Sequence, residues 1–218
     1  MVASADLYSY AQLLAWTGGN FNLTTDRLNM ALMGSGYTPN LASDHDWSDI
    51  STHEITGTGY VSGGNKLTGV SVTLTQANSW GPTWSANTGY YYGQIVKPLA
   101  SPNGLLFRAV SSGSFSAAGV SGSSEPTWPT TVGQVVIDGS VTWACIGYAL
   151  IVFTSGTVTW TTATFTASYA VIYDAQSGTY ASEPLLVLQT FGVPQSPAGV
   201  NFPLVPDPNL GWFSIPLT

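Results

Sequence analysis

The pattern of apolar and polar positions predicts one short helix followed by many strands. In SADLYSYAQLLAW, apolar residues recur at helical spacing between Leu7 and Leu14, with Ser4 as the N-cap and Gly18 and Gly19 as the stop. Later runs predict strands: RLNMALM, EITGTGYVSGG, NKLTGVSVTLT, VTWACIGYALIVFT, TVTWTTATFTASYAVIYDA, PLLVLQTFG and VNFPLVPDPNLGWFSIPLT. Short strands separated by turns indicate an all-β fold, here a β-sandwich-like main domain with one short N-terminal helix.

The middle of the chain differs in composition from both ends. Residues 80–147 are dense in aromatic and turn-forming residues. Half of the 8 tryptophans lie there: Trp80, Trp84, Trp128 and Trp143. A stretch of this size can fold around its own core. We therefore expect a small antiparallel β module at 80–147, inserted into a discontinuous main domain formed by 1–79 and 148–218. The run SSGSFSAAGVSGSS is predicted to be its flexible loop.

The chain of 218 residues carries little charge. Charged residues make up 7% of it, against about 25% in ordinary soluble domains, and the net charge is −7. Nucleic acids and anionic membranes require clustered cations, whereas Lys and Arg together number 4, so we expect neither partner. Polarity supplied by Ser, Thr and Gly gives little like-charge repulsion, which favours a component of a packed assembly that contacts copies of itself.

The single cysteine, Cys145, excludes an internal disulfide and a multi-cysteine zinc site. It lies in an apolar strand pattern, which is typical of a buried and unreactive thiol. The N-terminal sequence has no basic region before an apolar core, and no apolar run is long enough to span a bilayer. We therefore expect synthesis in the cytoplasm without export.

The loop SDHDWSDISTHEI holds the strongest group of potential metal ligands. Asp44, His45, Asp46 and His53 lie close together in sequence, and their oxygen and imidazole groups suit a hard cation or zinc. The spacing fits neither an EF-hand nor a helical His-x-x-x-His pair, since SDIST is not a helix former. The favoured interpretation is a polar loop whose aspartates cap turns, so we expect no metal and no other cofactor.

The sequence carries no signature of catalysis. Both histidines lie in that one loop, and there is no Gly-x-Ser-x-Gly elbow and no phosphate-binding glycine loop. A glycosidase needs two carboxyl groups across a cleft. The 11 acidic residues leave such a pair open, but none stands out. We expect a protein that is not an enzyme.

An ordered motif runs through the N-terminal part of the chain. It combines Leu-x-x-Asp, Ala-Leu, Tyr-x-Pro, Trp-Ser-Asp-Ile and Glu-Ile-x-Gly-x-Gly-Tyr-x-x-Gly-Gly. It is carried by Leu23, Asp26, Ala31, Leu32, Tyr37, Pro39, Trp47, Ser48, Asp49, Ile50, Glu54, Ile55, Gly57, Gly59, Tyr60, Gly63 and Gly64. The motif resembles a family of small structural proteins of tailed bacteriophages, and 160–175 and LLVLQTFG resemble that family's last strands. The resemblance implies a part of the virion without giving its position there.

The middle block resembles a different module, common in phage tail and fibre proteins. Its motif is carried by Trp84, Thr88, Tyr90, Gly93, Ile95, Val96, Pro98, Phe107, Arg108, Ala109, Glu125, Pro126, Trp128, Pro129, Gly133, Val136, Asp138, Gly139, Val141 and Trp143. Modules similar to it are often described as carbohydrate-binding, and exposed aromatic rings can stack on sugars. The candidate glycan-binding residues are Trp84, Tyr91, Trp128 and Glu125.

A second interpretation makes these aromatics the core of the module. A domain of this size has little aliphatic material, so aromatic rings fill its interior. In GSVTWACI, alternation places Trp143 and Cys145 on one face, and we assign Trp143 to the core. Pro126 and Pro129 fix a turn that can hold Trp128 inward, and the sequence leaves Trp128 open between core and sugar site.

These observations predict a virion structural protein made in the host cytoplasm. We expect a capsid decoration, or cement, protein that docks on the shell and reinforces it through subunit contacts. Its partners would be other virion proteins, above all the major capsid protein, and further copies of itself as a homo-oligomer. The alternative is a tail or fibre component that binds host surface glycan through the inserted module. A cement protein would be present in many copies and a tail adhesin in few.

Overall fold

The structure is a computed structural model, and it describes residues 4–17, 22–100, 102–111, 119–179 and 182–217. The all-β prediction is confirmed, since 46% of these described residues lie in strands or bridges and 9% in helices. The helices are α1 (Ser9–Thr17) and α2 (Trp47–Ile50), with 3₁₀ turns at Ser51–His53 and Ala77–Ser79. The strands are β1 (Ser4–Leu7), β2 (Leu28–Met33), β3 (Asn65–Lys66), β4 (Ser71–Gln76), β5 (Gly89–Tyr90), β6 (Ile95–Val96), β7 (Leu106–Ser111), β8 (Gly119–Val120), β9 (Val135–Asp138), β10 (Val141–Gly147), β11 (Ala149–Thr154), β12 (Val158–Thr164), β13 (Ala167–Asp174), β14 (Leu185–Gln195), β15 (Ala198–Leu204) and β16 (Phe213–Leu217).

The chain divides into two compact units. Unit 1 comprises Met1–Val72 and Phe153–Phe213, and unit 2 comprises Thr73–Val152 and Ser214–Thr218. The limits expected for the inserted module, residues 80 and 147, both fall within unit 2. That 80–147 folds as a module of its own stays a prediction.

Unit 1 is built on a five-stranded antiparallel sheet with the order β1-β14-β13-β2-β3. In the sequence, RLNMALM alternates and predicts a strand with one buried face, but all 6 residues of β2 are buried. The reason is that both faces of this sheet are covered. On one face, Met30 and Leu32 join a cluster that includes Trp160 of β12 and Phe202 of β15. The two-stranded sheet β12-β15 therefore forms a second layer, as in a sandwich.

The opposite face of the sheet is covered by aromatic residues from outside it. Ala31 and Met33 of β2 share a cluster with Tyr8, Tyr37 and Trp47. The short helix α2 supplies Trp47, whose ring stacks on Tyr173 of β13 with the ring centroids 4.4 Å apart. Offset aromatic pairs of this kind add to the burial that already stabilises the sheet.

The C-terminal aromatic residues belong to the chain's own fold. The sequence of the Pro-rich end, with Trp212 and Phe213, fits either the last strand of the domain or an arm laid across a neighbour. Trp212 is buried, its indole Nε1 donates to Ser155 Oγ at 2.7 Å, and its carbonyl accepts from Gln189 Nε2 at 2.7 Å. Phe213 begins β16 and stacks on Phe153 at a centroid distance of 5.1 Å. The structure therefore agrees with the first alternative, in which the C-terminal segment packs on its own chain and ends in the last strand.

Unit 2 contains a four-stranded antiparallel sheet with the order β6-β7-β10-β9. A further sheet of three strands has the order β16-β11-β4, and β5 pairs with β8. In the sequence, the dipeptide Asp138-Gly139 predicts a hairpin, and this prediction is confirmed: β9 and β10 join through Gly139 and Ser140. Gly139 has a φ of +62°, and a Cβ there would lie 2.4 Å from the carbonyl oxygen of Val120. Only glycine allows this turn and this close approach.

Two predictions about local secondary structure are wrong. Ser4 does not cap a helix, because Ser4–Leu7 forms β1 and pairs with β14, and α1 begins at Ser9. The segment EITGTGYVSGG forms no strand and contributes only the isolated bridges Met33–Glu54 and Thr58–Thr164. Its closely spaced glycines turn the backbone instead. The predicted stop at residues 18 and 19, and residues 112–118 of the predicted flexible loop, lie outside the described residues.

The segment around SDIST is also different from its prediction. It was expected not to be helical, but Trp47–Ile50 forms α2 and Ser51–His53 forms a 3₁₀ turn. The burial of Trp47 and Ile50 against the sheet offsets the weak helix propensity of Ser, Asp and Thr. Tertiary packing therefore decides this helix.

Candidate functional site

A buried carboxyl group organises the four-stranded sheet of unit 2. Asp138 is 4% exposed. Its Oδ2 accepts hydrogen bonds from the indole Nε1 of Trp84 at 2.7 Å and of Trp143 at 3.0 Å, and its Oδ1 accepts one from the Gly122 N–H at 2.7 Å. Because buried indole N–H groups need an acceptor, one side chain fixes two tryptophans. The sequence showed Asp138 only as one residue of the middle-block motif, although an acid that ends the apolar run VVID was a usable signal.

The aromatic residues around this carboxyl group form a core. Trp143 is fully buried, which confirms its assignment, and Cys145 is buried as predicted. Tyr90 meets Trp143 edge-on, with the ring centroids 4.8 Å apart. The ring of Trp128, 8% exposed, lies 4.4 Å from Phe107 and 5.9 Å from Trp143 between ring centroids. Trp128, which the sequence left open between core and sugar site, is therefore part of the core.

Glu125 holds Trp128 in this position. Its Oε1 accepts hydrogen bonds from the Trp128 Nε1 at 2.8 Å and from the Leu99 N–H at 2.6 Å, and its Oε2 accepts one from the Ala100 N–H at 2.8 Å. Burial opposes ionisation of Glu125, but the hydrogen bonds from Trp128, Ala100 and Leu99 together outweigh it. The pKa of Glu125 therefore lies below its ordinary value. The Glu-Pro-x-Trp motif is in this way a structural clamp.

This clamp makes the stability of unit 2 depend on pH. Because the pKa of Glu125 is lower in the folded protein, its contribution is fully present above the ordinary glutamate pKa of 4.5 and is lost as the pH falls through the folded value. We expect amide exchange around Trp128 to accelerate as the pH is lowered from 5 to 3, after correction for intrinsic exchange rates. Glu125→Gln should flatten this dependence, whereas Asp207→Asn, at an exposed acid of unit 1, should leave it unchanged. An equally steep dependence in Glu125→Gln would contradict the assignment.

A cavity of about 400 Å³ lies beside the clamp. It is lined by Ala100, Asn103, Glu125, Pro126, Thr127, Trp128 and Thr130. Both carboxylate oxygens of Glu125 already accept hydrogen bonds from the protein itself. The Asn103 amide is likewise engaged, since its Oδ1 accepts a hydrogen bond from the Leu105 N–H at 3.1 Å. The cavity therefore offers a ligand mainly the hydroxyls of Thr127 and Thr130.

The structure separates the four predicted glycan-binding residues. Glu125 and Trp128 line the cavity, whereas Trp84 is buried at Asp138. Tyr91 follows β5 and is 39% exposed, so it is the one candidate ring with an open face. Stacking on a sugar through Trp84 or Trp128 would require the core to open, because neither ring presents a free face.

The predicted metal ligands of unit 1 are engaged by neighbouring side chains. The Oδ2 of Asp44 accepts hydrogen bonds from the Tyr37 hydroxyl at 2.7 Å and from the Asn40 N–H at 2.9 Å. The ring of His45 stacks on Tyr10 at a centroid distance of 4.7 Å. His53 is tilted against Tyr37, with the ring centroids 5.7 Å apart. Both histidine rings therefore pack against tyrosine rings.

The remaining aspartates of this loop begin α2, as the favoured interpretation expected. The Oδ2 of Asp49 accepts hydrogen bonds from the N–H groups of Asp46 and His45, at 3.0 and 2.8 Å, and these bonds lower the pKa of Asp49. Burial and the nearby Asp49 raise the pKa of Asp46. Across the ranges that the structure describes, no group of three or more His, Cys, Asp or Glu side chains is placed to hold a metal ion.

In unit 1, the carboxyl group of Glu54 holds the glycine-rich loop in place. It accepts hydrogen bonds from the Tyr60 hydroxyl at 2.6 Å, the Ser62 hydroxyl at 2.9 Å and the Gly63 N–H at 2.6 Å. The Tyr60 hydroxyl in turn accepts a bond from the Leu32 N–H at 3.0 Å. Burial and the bond to Glu54 raise the pKa of Tyr60, so it stays a neutral donor. The motif thereby ties the loop to β2.

Comparison with known proteins gives no match, since no protein-family model, curated protein or solved structure is similar to this chain. Among the residues that the structure describes, no helix is long and apolar enough to cross a lipid bilayer. A functional assignment therefore depends on the residues and contacts described above and on the motif resemblance.

Proposed function

We propose that this chain is a structural protein of a tailed-bacteriophage virion and that it decorates the capsid as a cement protein. The observation that carries the proposal is how the polar side chains are used. Asp138, Glu125, Glu54 and Asp44 all bind N–H or hydroxyl groups of their own unit. Carboxyl groups used in this way stabilise the fold. A stable fold that docks on the shell is what a cement protein requires.

The surface supports the same proposal. Large aliphatic side chains are exposed on both units, among them Val61 and Val193 of unit 1 and Leu74 and Ile137 of unit 2. Single exposed aliphatic residues are normal. In a chain with 7% charged residues, however, few charges separate them, and the surface can be buried against other proteins at a low desolvation cost. The ordered motif that resembles phage structural proteins supports a virion as the assembly in which this surface would be buried.

The copy number of the chain in purified virions tests the proposal. Quantitative mass spectrometry with isotope-labelled peptides would measure it relative to the major capsid protein. We expect a ratio near one or a simple fraction of one, and the same ratio on purified tailless heads, which serve as the control. A ratio of a few per cent, or loss of the chain from tailless heads, would contradict decoration of the capsid.

A second candidate function is favoured by the cavity beside Trp128 and by the exposed ring of Tyr91. Here the chain would be a tail or fibre component whose unit 2 binds host surface glycan. The threonine hydroxyls of the cavity are suitable partners for sugar hydroxyls, and an exposed tyrosine ring suits stacking on a sugar.

Glycan binding by the purified chain separates the two candidates. Host surface polysaccharide would be titrated into the chain and followed by calorimetry. A tail adhesin should bind, and Tyr91→Ala should weaken binding about five- to thirtyfold, since a stacked ring contributes on the order of 1–2 kcal/mol. Tyr148→Ala, at a tyrosine that is 54% exposed, is the matched control and should bind as the unchanged chain does. Absence of binding would remove this candidate.

A further inference from the structure

The strand β9 is an open edge of the four-stranded sheet. Its register with β10 pairs Asp138 with Val141 across the two-residue turn, then Ile137 with Thr142, Val136 with Trp143 and Val135 with Ala144. In such a hairpin the closing pair is hydrogen-bonded and the pairs alternate from there. The N–H and C=O groups of Val135 and Ile137 therefore point away from β10. In the described part of the chain, no group outside the sheet bonds to them.

The same two residues expose their side chains. Val135 is 58% and Ile137 75% exposed, and both lie on the outer face of the sheet. Natural edge strands usually carry a lysine, a proline or a bulge that blocks pairing with another strand. Between Val135 and Asp138 there is no lysine or proline, and the register with β10 is regular. The one charged residue of β9, Asp138, points inward at the end of the strand, so the outward-facing groups of Val135 and Ile137 have no such protection.

The charge distribution indicates which partner fits this edge. Residues 126–137 contain no charged side chain, although the net charge of the chain is −7. Two copies can therefore approach through this edge without placing like charges opposite each other. The edge is also complementary to itself, because an antiparallel pairing centred on Val136 places each Val135 opposite the partner's Ile137. In that register every outward N–H meets a C=O.

We propose that β9 pairs with β9 of a second copy of this chain, and that the two four-stranded sheets join into one eight-stranded sheet about a twofold axis. The inference depends on sheet geometry and on charge, and not on the proposed function. A contact between two strands of 4 residues is small, so the dissociation constant is expected on the order of 10 µM. The dimer would form where the chain is concentrated.

Sedimentation velocity of the full chain from about 1 to about 200 µM tests self-association. We expect a monomer–dimer equilibrium, and Ile137→Lys should weaken it at least about tenfold because an edge lysine opposes strand pairing. Val61→Lys, at an exposed valine of unit 1, makes the same change of charge elsewhere and should dimerise like the unchanged chain. A chain that is monomeric at all concentrations, or an Ile137→Lys dimer of unchanged affinity, overturns the proposal.

Disulfide trapping tests the register independently. The two Val136 residues form the central non-hydrogen-bonded pair, with their Cα atoms about 4.5 Å apart, a distance that a disulfide can bridge. Val136→Cys should therefore give a covalent dimer under mild oxidation. Val135 is more exposed, but in this pairing it lies diagonally across from Val135 of the second copy. The Val135→Cys variant should therefore remain largely monomeric. Equal cross-linking of both variants, or capture by a strand of a different protein instead of a second copy, contradicts the pairing.

Discussion

Replacement of Asp138 by alanine is expected to lower the free energy of unfolding of unit 2 by about 4 kcal/mol. The change removes one carboxyl group and leaves three donors without their partner, namely the indole N–H groups of Trp84 and Trp143 and the main-chain N–H of Gly122. Each buried donor left without a partner costs about 1–3 kcal/mol, and the side chain also leaves a small void. Asp138→Asn keeps the volume but sets an amide N–H₂ against at least one donor, so it should lose about half as much.

Hydrogen exchange with mass spectrometry measures this effect locally. Peptides from β9 and β10 should lose most of their protection in Asp138→Ala, whereas peptides from β13 and β14 should keep theirs. A local measurement is needed because a chain with two compact units does not have to unfold in one step. Asp207→Ala removes a carboxyl group with exposed turn bonds to the N–H groups of Asn209 and Leu210, and it should cost less than about 1 kcal/mol. Equal effects of the two alanine variants would contradict the role given to Asp138.

Gly64→Ala is expected to have the other large effect, a loss of more than about 4 kcal/mol in unit 1. A Cβ at this position would lie 2.0 Å from the carbonyl oxygen of Met30 and 2.6 Å from the Cα of Ala31. Both atoms belong to the main chain of β2, a buried strand inside the five-stranded sheet, so neither can move aside without distorting that sheet. Gly64 also has a φ of +70°, which an alanine adopts only with strain.

A control variant at a second glycine, Gly192, distinguishes the effect of the steric clash from that of the backbone strain. Gly192 has a φ of +74°, and a Cβ there would meet nothing within 4 Å. Gly192→Ala should therefore cost only the strain of the left-handed conformation, about 1 kcal/mol. Urea unfolding followed by far-UV circular dichroism would compare the two variants. If Gly64→Ala were as mild as Gly192→Ala, the close approach between the glycine-rich loop and β2 would not exist.

Local sequence patterns predicted much of the fold. The alternation in GSVTWACI placed Trp143 and Cys145 inside, and the strand β10 shows that alternation along its whole length. The Asp-Gly dipeptide predicted the hairpin between β9 and β10. These predictions hold because hairpin turns and inward alternation depend on residues that are adjacent in sequence.

Predictions failed where distant segments decide the structure. Ser4 lies in a strand because β14, far along the chain, offers a pairing edge that competes with the helix. Trp47–Ile50 is helical because its apolar residues pack on the sheet. For the candidate site, the sequence named Glu125 and Trp128 among four candidate glycan-binding residues but could not show that the carboxylate binds that indole.

The sequence by itself determined the all-β class, the hairpin at Asp138-Gly139, the inward alternation of β10 and the low charge of the chain. Only the tertiary structure decided how the carboxyl groups are used and which rings are exposed. Asp138 binds Trp84 across 54 positions of the chain, and Gly64 lies against β2 through a loop held by Glu54. The physical reason is that turns and alternation arise from neighbouring residues, whereas the satisfaction of a buried donor depends on which distant segments the folded chain brings together.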